Sequence, residues 1–99
     1  MSDAHDTTAL LAADAPLPDW AERLREALLA EFGGTVDVER TGTRNRCRFG
    51  ILSRKFEEIA DLDRQDAAWD VAQRTLNRDE LIDVSLILTY APSDFNDED

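Results

Sequence analysis

The sequence predicts an α+β domain: a three-stranded mixed sheet with helices packed on one of its faces, in the order α-β-β-α-α-β. Three observations carry this. An apolar stripe of helical period ends on a glycine pair at residues 33–34. Two short alternating segments come next, joined by a tight turn. A long helical stretch then leads to a last apolar strand, and a strand–helix–strand crossover places that strand parallel to its predecessor.

Residues 1–17 are small, polar and proline-flanked, without a period, and read as a flexible tail. The domain spans 18–95, and residues 96–99, NDED, form an acidic tail. Asp19 and Glu22, preceded by Pro18, have capping-box spacing. Trp20, Leu24, Ala27, Leu28 and Glu31 follow the helical period, Leu29 and Phe32 widen its apolar side, and Gly33-Gly34 supplies a left-handed stop. Residues 35–40 alternate, Val36 and Val38 against Asp37 and Glu39, as a half-buried strand does. After the turn at Thr41-Gly42-Thr43, a second strand sets Cys47, Phe49 and Ile51 against Arg46, Arg48, Gly50 and Leu52.

Beyond Ser53 the period becomes helical. Phe56 and Ile59 make a short first turn. Leu62, Gln65, Trp69, Ala72 and Leu76 then share one stripe of a longer helix capped by Asp61 or Asp63. Residues 77–80 break that helix. The chain returns as LIDVSLILTY, with Ile82, Val84, Leu86, Leu88 and Tyr90 on one face. Leu81 and Ile87 on the other predict a central strand, partly covered on both sides. Residues 92–95, PSDF, read as a short turn or helix start.

Composition narrows the function. Ninety-nine residues suffice for one domain. With 22 Asp and Glu against 11 Lys and Arg, the net charge of −11 repels nucleic acid and anionic membrane except where a local patch reverses the field. No apolar run reaches the length of a membrane span, and the N-terminus carries acids where a secretory signal has a basic start. A single cysteine excludes an intramolecular disulfide framework. The expectation is a soluble cytoplasmic protein.

Catalysis lacks its parts. His5 is the only histidine and lies in the tail, so neither a histidine-based triad nor an activated Cys47 has a base. No Walker loop or dinucleotide fingerprint occurs. The acids Glu57, Glu58, Asp61, Asp63 and Asp66 lack EF-hand spacing and its glycine. Charge is distributed unevenly instead. Residues 40–55 hold six basic side chains and no acid (Arg40, Arg44, Arg46, Arg48, Arg54 and Lys55), whereas residues 56–99 hold thirteen acids and three arginines. A bipolar chain of this kind suits contact with a charged partner, or with itself.

The segment FGILSRKFEEIADLDRQDAAWDVAQRTL resembles the core of the BolA family, a strand running into Ser-x-x-Phe-Glu-Gly and a helix opening on Arg-His-Arg. Ser53, Phe56, Glu57 and Arg64 keep that frame without a gap. Ile82, Ser85, Tyr90, Pro92 and Phe95 resemble the family's closing strand with its Thr-Pro and acidic-aromatic pair. The resemblance implies a class II KH-like fold and a regulatory or adaptor protein that is not an enzyme. Many members bind monothiol glutaredoxins and help ligate a bridged [2Fe–2S] cluster, through a closing-strand histidine and a Cys or His of the hairpin loop; some are described as DNA-binding regulators. Here Gln65 and Asp83 stand at histidine positions and Glu58 at the glycine. Asp83 offers a hard carboxylate, and Cys47 falls inside the second strand, so both are weak metal candidates and no cofactor is expected. The predicted function is protein contact, with a monothiol glutaredoxin-like partner, through Arg44, Arg46, Arg48, Arg54, Lys55, Arg64 and Asp83 and the exposed side of the closing strand. The alternative is nucleic-acid binding through the KH-like face and the basic residues of 40–55. A third is a self-associating or nucleic-acid-mimicking module built on the acidic half.

Overall fold

Proline and glycine set the limits of the first helix in the computed structural model, which describes residues 17–41 and 45–95. Helix α1 runs Asp19–Phe32. Its N-cap is Pro18, whose carbonyl accepts the N–H groups of Ala21 and Glu22 at 2.9 and 3.2 Å. Asp19 therefore lies inside the first turn, where the predicted capping box cannot form, though an acid there still meets the positive end of the helix dipole. Gly33 and Gly34 take φ of 67° and 71°. At Gly34 the requirement is also steric, because a Cβ would lie 2.0 Å from the carbonyl oxygen of Leu52.

Strands β1 (Thr35–Arg40) and β2 (Cys47–Leu52) pair antiparallel, with Asp37 opposite Gly50 and Glu39 opposite Arg48. Strand β3 (Val84–Tyr90) pairs parallel to β2, so the sheet order is β1-β2-β3 and the sheet is mixed. β2 is thus the central strand. β3 is an edge, contrary to the expectation drawn from Leu81 and Ile87. The register slips between Cys47 and Arg48, which face Val84 and Leu86. That irregularity brings both Val84 and Ile87 into the core although they are three residues apart, and it leaves Leu86 exposed. The simple alternation read from the sequence fails there. Ile82 is not in the strand at all.

A 3₁₀ turn, Arg54–Phe56, leads from β2 towards helix α2, Asp61–Thr75, whose N-cap is Ala60 rather than an acid. The buried side of α2 is Arg64, Ala68, Val71 and Ala72, continued by Leu76. This face is turned away from the predicted one, and Leu62 is 79% exposed. Small residues explain the turn. Ala68 and Ala72 let the α2 backbone approach its neighbours, and Arg64 occupies a buried place that a pattern of apolar residues does not reveal. Residues 77–80 end this helix and start another. Asn77 caps helix α3, Arg78–Ile82, in a reciprocal box: its Oδ1 accepts from Glu80 N at 2.8 Å, and its own N–H donates to Glu80 Oε1 at 3.0 Å.

The helices cover the face of the sheet that carries Val36, Cys47, Phe49, Ile51 and Ile87. Tilted rings tie the layers: Trp20 against Phe49 at 6.1 Å, and Phe32 against Phe56 at 4.9 Å between centroids. Leu17 is half-buried against this core. Among the described residues no helix is long and apolar enough to cross a membrane. His5, both predicted tails up to residue 16 and from 96, and the turn residue Arg44 lie outside the described residues.

Candidate functional site

Where β2 and β3 end, polar side chains bind the chain to itself. Ser53, almost wholly buried, donates from Oγ to Phe32 O at 2.6 Å and accepts Lys55 N at 3.1 Å, locking the end of α1 to the 3₁₀ turn. Phe56 fills the core. The next residue, Glu57, accepts both Ser93 Oγ (2.6 Å) and Ser93 N (3.1 Å) from the 3₁₀ helix Pro92–Phe95. Arg64, 7% exposed, donates from Nε to Ile59 O at 2.7 Å and from Nη1 to Asp94 Oδ2 at 3.0 Å, with its guanidinium 5.8 Å from the Phe56 ring. Asp94 is held below the usual carboxylate range, first by the N–H of Ala91 and then by Arg64. The sequence reading puts Arg64 on a contact surface. Its guanidinium is instead engaged inside the fold.

The remaining predicted site residues do not form one patch. Arg46 and Arg54 are both exposed but flank opposite ends of β2, roughly 20–25 Å apart at strand rise. Arg48 pairs with Glu39, Nε to Oε1 at 2.7 Å. Lys55 donates Nζ to Glu31 O at 3.0 Å, in the last turn of α1. Gln65 reaches the edge strand, with Nε2 donating to Ile87 O at 3.0 Å and Thr89 Oγ1 at 3.3 Å, and so closes one outward carbonyl of β3.

Cys47 and Asp83 meet at the hairpin end, where Cys47 N donates to Asp83 O at 2.9 Å. The thiol is wholly buried and lies 3.9 Å from Asn45 O. Burial pushes its pKa up; Arg40 pulls the other way, and Asp83 adds to the rise. Such a thiol is a poor nucleophile and a poor ligand at neutral pH. Among the described residues no group of three or more His, Cys, Asp or Glu is placed to hold a metal ion.

No described element packs on the face of the sheet opposite the helices. Its side chains form three rows across β1, β2 and β3: Thr35, Leu52 and Tyr90; Asp37, Gly50 and Leu88; Glu39, Arg48 and Leu86. Gly50, with no atom within 4 Å of where its Cβ would be, sits in the centre of a groove of about 410 Å³. Acids line one margin and apolar side chains the other, and Phe95 continues the apolar margin, its ring 5.4 Å from that of Tyr90. Sequence reasoning named none of Asp37, Gly50, Leu88 and Tyr90 as site residues. The alternation of β1 and β2 held the signal, because it puts Asp37 and Gly50 on the face away from Val36 and Phe49.

A three-stranded mixed sheet with its helices on one face, in the order α-β-β-α-α-β, is the class II KH-like arrangement. Within that class the fold is that of BolA proteins. The chain is similar to the solved structure of BolA1 from Arabidopsis thaliana, at 21% identity and a TM-score of 0.59 over 78% of this chain and 96% of that one. It is likewise similar to the BolA domain of SufE1 from Arabidopsis thaliana, at 22% identity and a TM-score of 0.62 over 80% and 99% of the two chains. At these identities the likeness is one of fold. No protein-family model matches the chain, and no curated protein does.

Proposed function

We propose that the protein is a BolA-like adaptor or regulator, acting in the cytoplasm by protein–protein contact and not as an enzyme, with a monothiol glutaredoxin-like protein as a partner and without ligating an iron–sulfur cluster. The observation that carries the reading is the pair at the hairpin end. A cluster takes thiolates or imidazoles at fixed geometry. This chain offers there a buried thiol held protonated and a carboxylate, and the turn sequence Thr41-Gly42-Thr43-Arg44 has neither Cys nor His. The donor set does not fit the group. Nucleic-acid binding has weaker support: Arg48 and Lys55 already have partners, and Arg46 and Arg54 stand at opposite ends of β2.

The test is a titration of isotope-labelled protein with a monothiol glutaredoxin, apo and cluster-loaded, monitored by NMR, visible absorbance and circular dichroism. Amide shifts with an unchanged cluster spectrum are expected. A changed spectrum means that ligation survives through Cys47 or Asp83 and overturns the second half of the reading. No shift with either form removes this partner.

A further inference from the structure

We propose that the open face of the sheet docks an amphipathic helix of a protein partner, its apolar stripe on Leu86, Leu88 and Tyr90 and a basic margin over Asp37, with Gly50 as the notch that admits its deepest side chain. This rests on the adaptor reading and gives it a surface and a partner chemistry.

The dimensions agree. Leu88 and Asp37 are separated by two strand spacings, ~10 Å, which is close to the ~10–12 Å width of a helix. Alternate residues of β3 repeat every ~7 Å, near the ~6 Å between helix positions four apart, so one stripe can follow Leu86, Leu88 and Tyr90. A Cβ at Gly50 would meet no described atom within 4 Å, and the backbone there does not lie in the left-handed region. Among the described residues no turn or close approach explains a glycine at the middle of a central strand, where it costs β propensity. Room for another chain does.

Charge selects the occupant. The β3 margin, Val84–Tyr90, contains no charged residue in a chain that is 33% charged, and Leu86 is 43% exposed. Across the groove stand Asp37 and Glu39. Glu39 is paired with Arg48, while Asp37 makes no ion pair among the described residues. An apolar margin faced by a carboxylate fits a helix with Lys or Arg beside its apolar stripe. A second copy of this chain fits worse, since it brings another −11.

Gly50→Leu is the variant that separates folding from docking, because its side chain projects into open space and fills the notch. The probe is a synthetic amphipathic peptide of about four helical turns, with leucines on one stripe and lysines beside it, titrated into the labelled full chain. Two further peptides replace its lysines by glutamate or its leucines by serine. The leucine–lysine peptide is expected to shift Asp37, Gly50, Leu88 and Tyr90. Gly50→Leu and Asp37→Lys are each expected to weaken it at least about tenfold, with melting of Gly50→Leu at or above that of the wild type. Shifts on other surfaces, equal binding by Gly50→Leu, or equal binding of the serine peptide overturn the proposal. So does a concentration-dependent mass that Gly50→Leu abolishes, which makes a second copy the occupant. A glutaredoxin that binds wild type and Gly50→Leu alike leaves the adaptor reading standing and removes this site. A glutaredoxin that binds neither, beside the expected peptide result, keeps the site and changes the partner.

Discussion

The two sides of this small sheet are finished in opposite ways. Where β2 and β3 end, the buried Ser53 and Arg64 and the exposed Glu57 bond back to Phe32, Ile59, Asp94 and Ser93. Across the open face, Asp37, Gly50 and Leu86 bond to no side chain among the described residues, and the Arg48–Glu39 pair stands in solvent. These bonded side chains coincide with the residues that keep the BolA frame. A matched motif here is a set of internal fastenings, so it predicts the fold well and the activity poorly.

The sharpest way to break this contrast is at Gly34. Gly34→Ala combines a left-handed backbone with a Cβ driven into Leu52 O, and is expected to cost about 3 kcal/mol or more in urea unfolding. Gly33→Ala meets no atom within 4 Å, but φ of 67° with ψ of −159° is a conformation essentially confined to glycine, so strain alone should cost about 1–3 kcal/mol. Equal effects at the two glycines would mean that the crossing of the chain over Leu52 is not tight. Next in size is Arg64→Met, which keeps the apolar stem but leaves Ile59 O without its donor and Asp94 with only the N–H of Ala91, and is expected to lower stability by about 1–2 kcal/mol. A neutral result would return Arg64 to the surface role expected from the sequence.

The same fastening should be visible in pH. The Asp94 pKa is lower folded than unfolded, so its contribution is complete above the ordinary carboxylate range and is lost as pH falls below about 4 towards the folded value. Glu80 acts with the same sign, through the N–H of Asn77 first and Arg23 after it. The urea midpoint should therefore drop on acidification. The drop should shrink in Asp94→Asn and also, by less, in Arg64→Met, where Ala91 still donates to Asp94. At the hairpin end the expectation is kinetic. Cys47 should react with a disulfide reagent only on unfolding, because the thiol is buried and its pKa raised. Native-state labelling at the rate of a free thiol would reopen it as a ligand.

How much of this was legible in the sequence depends on what kind of signal each residue carries. Period and punctuation gave α1 with its glycine stop, both hairpin strands and the parallel crossover. They failed at β3, because the slipped pairing beside Cys47 shifts the phase of alternation, and only the partner strand sets that slip. They failed on α2, because its buried face is two alanines, a valine and an arginine, and apolar size points elsewhere. The α3 cap was readable in Asn77-x-x-Glu80 but hidden by treating those residues as a break. Of the site, Cys47 could be placed, since its burial follows from the alternation of its own strand. The groove could not, because it exists only once Asp37, Gly50 and Leu88 are aligned across three strands.

The smallest expected effect tests the comparison most directly, since it holds the chemistry constant. Arg64 with Asp94 and Arg48 with Glu39 are both arginine–carboxylate pairs. The side chains of the first are 8% and 36% exposed, those of the second 49% and 64%. Exposed pairs contribute little, because water screens both charges and two long side chains must be held in one geometry. Arg48→Ser should therefore change stability by no more than about 0.5 kcal/mol, and a double-mutant cycle with Glu39→Gln should return a coupling near zero that salt removes. The Arg64–Asp94 cycle should return a larger coupling that persists in salt. Were the Arg48–Glu39 coupling as large, the open face would be fastened like the other end of the sheet. Its Arg48 and Glu39 would then be holding the fold together and not bordering a place for another chain.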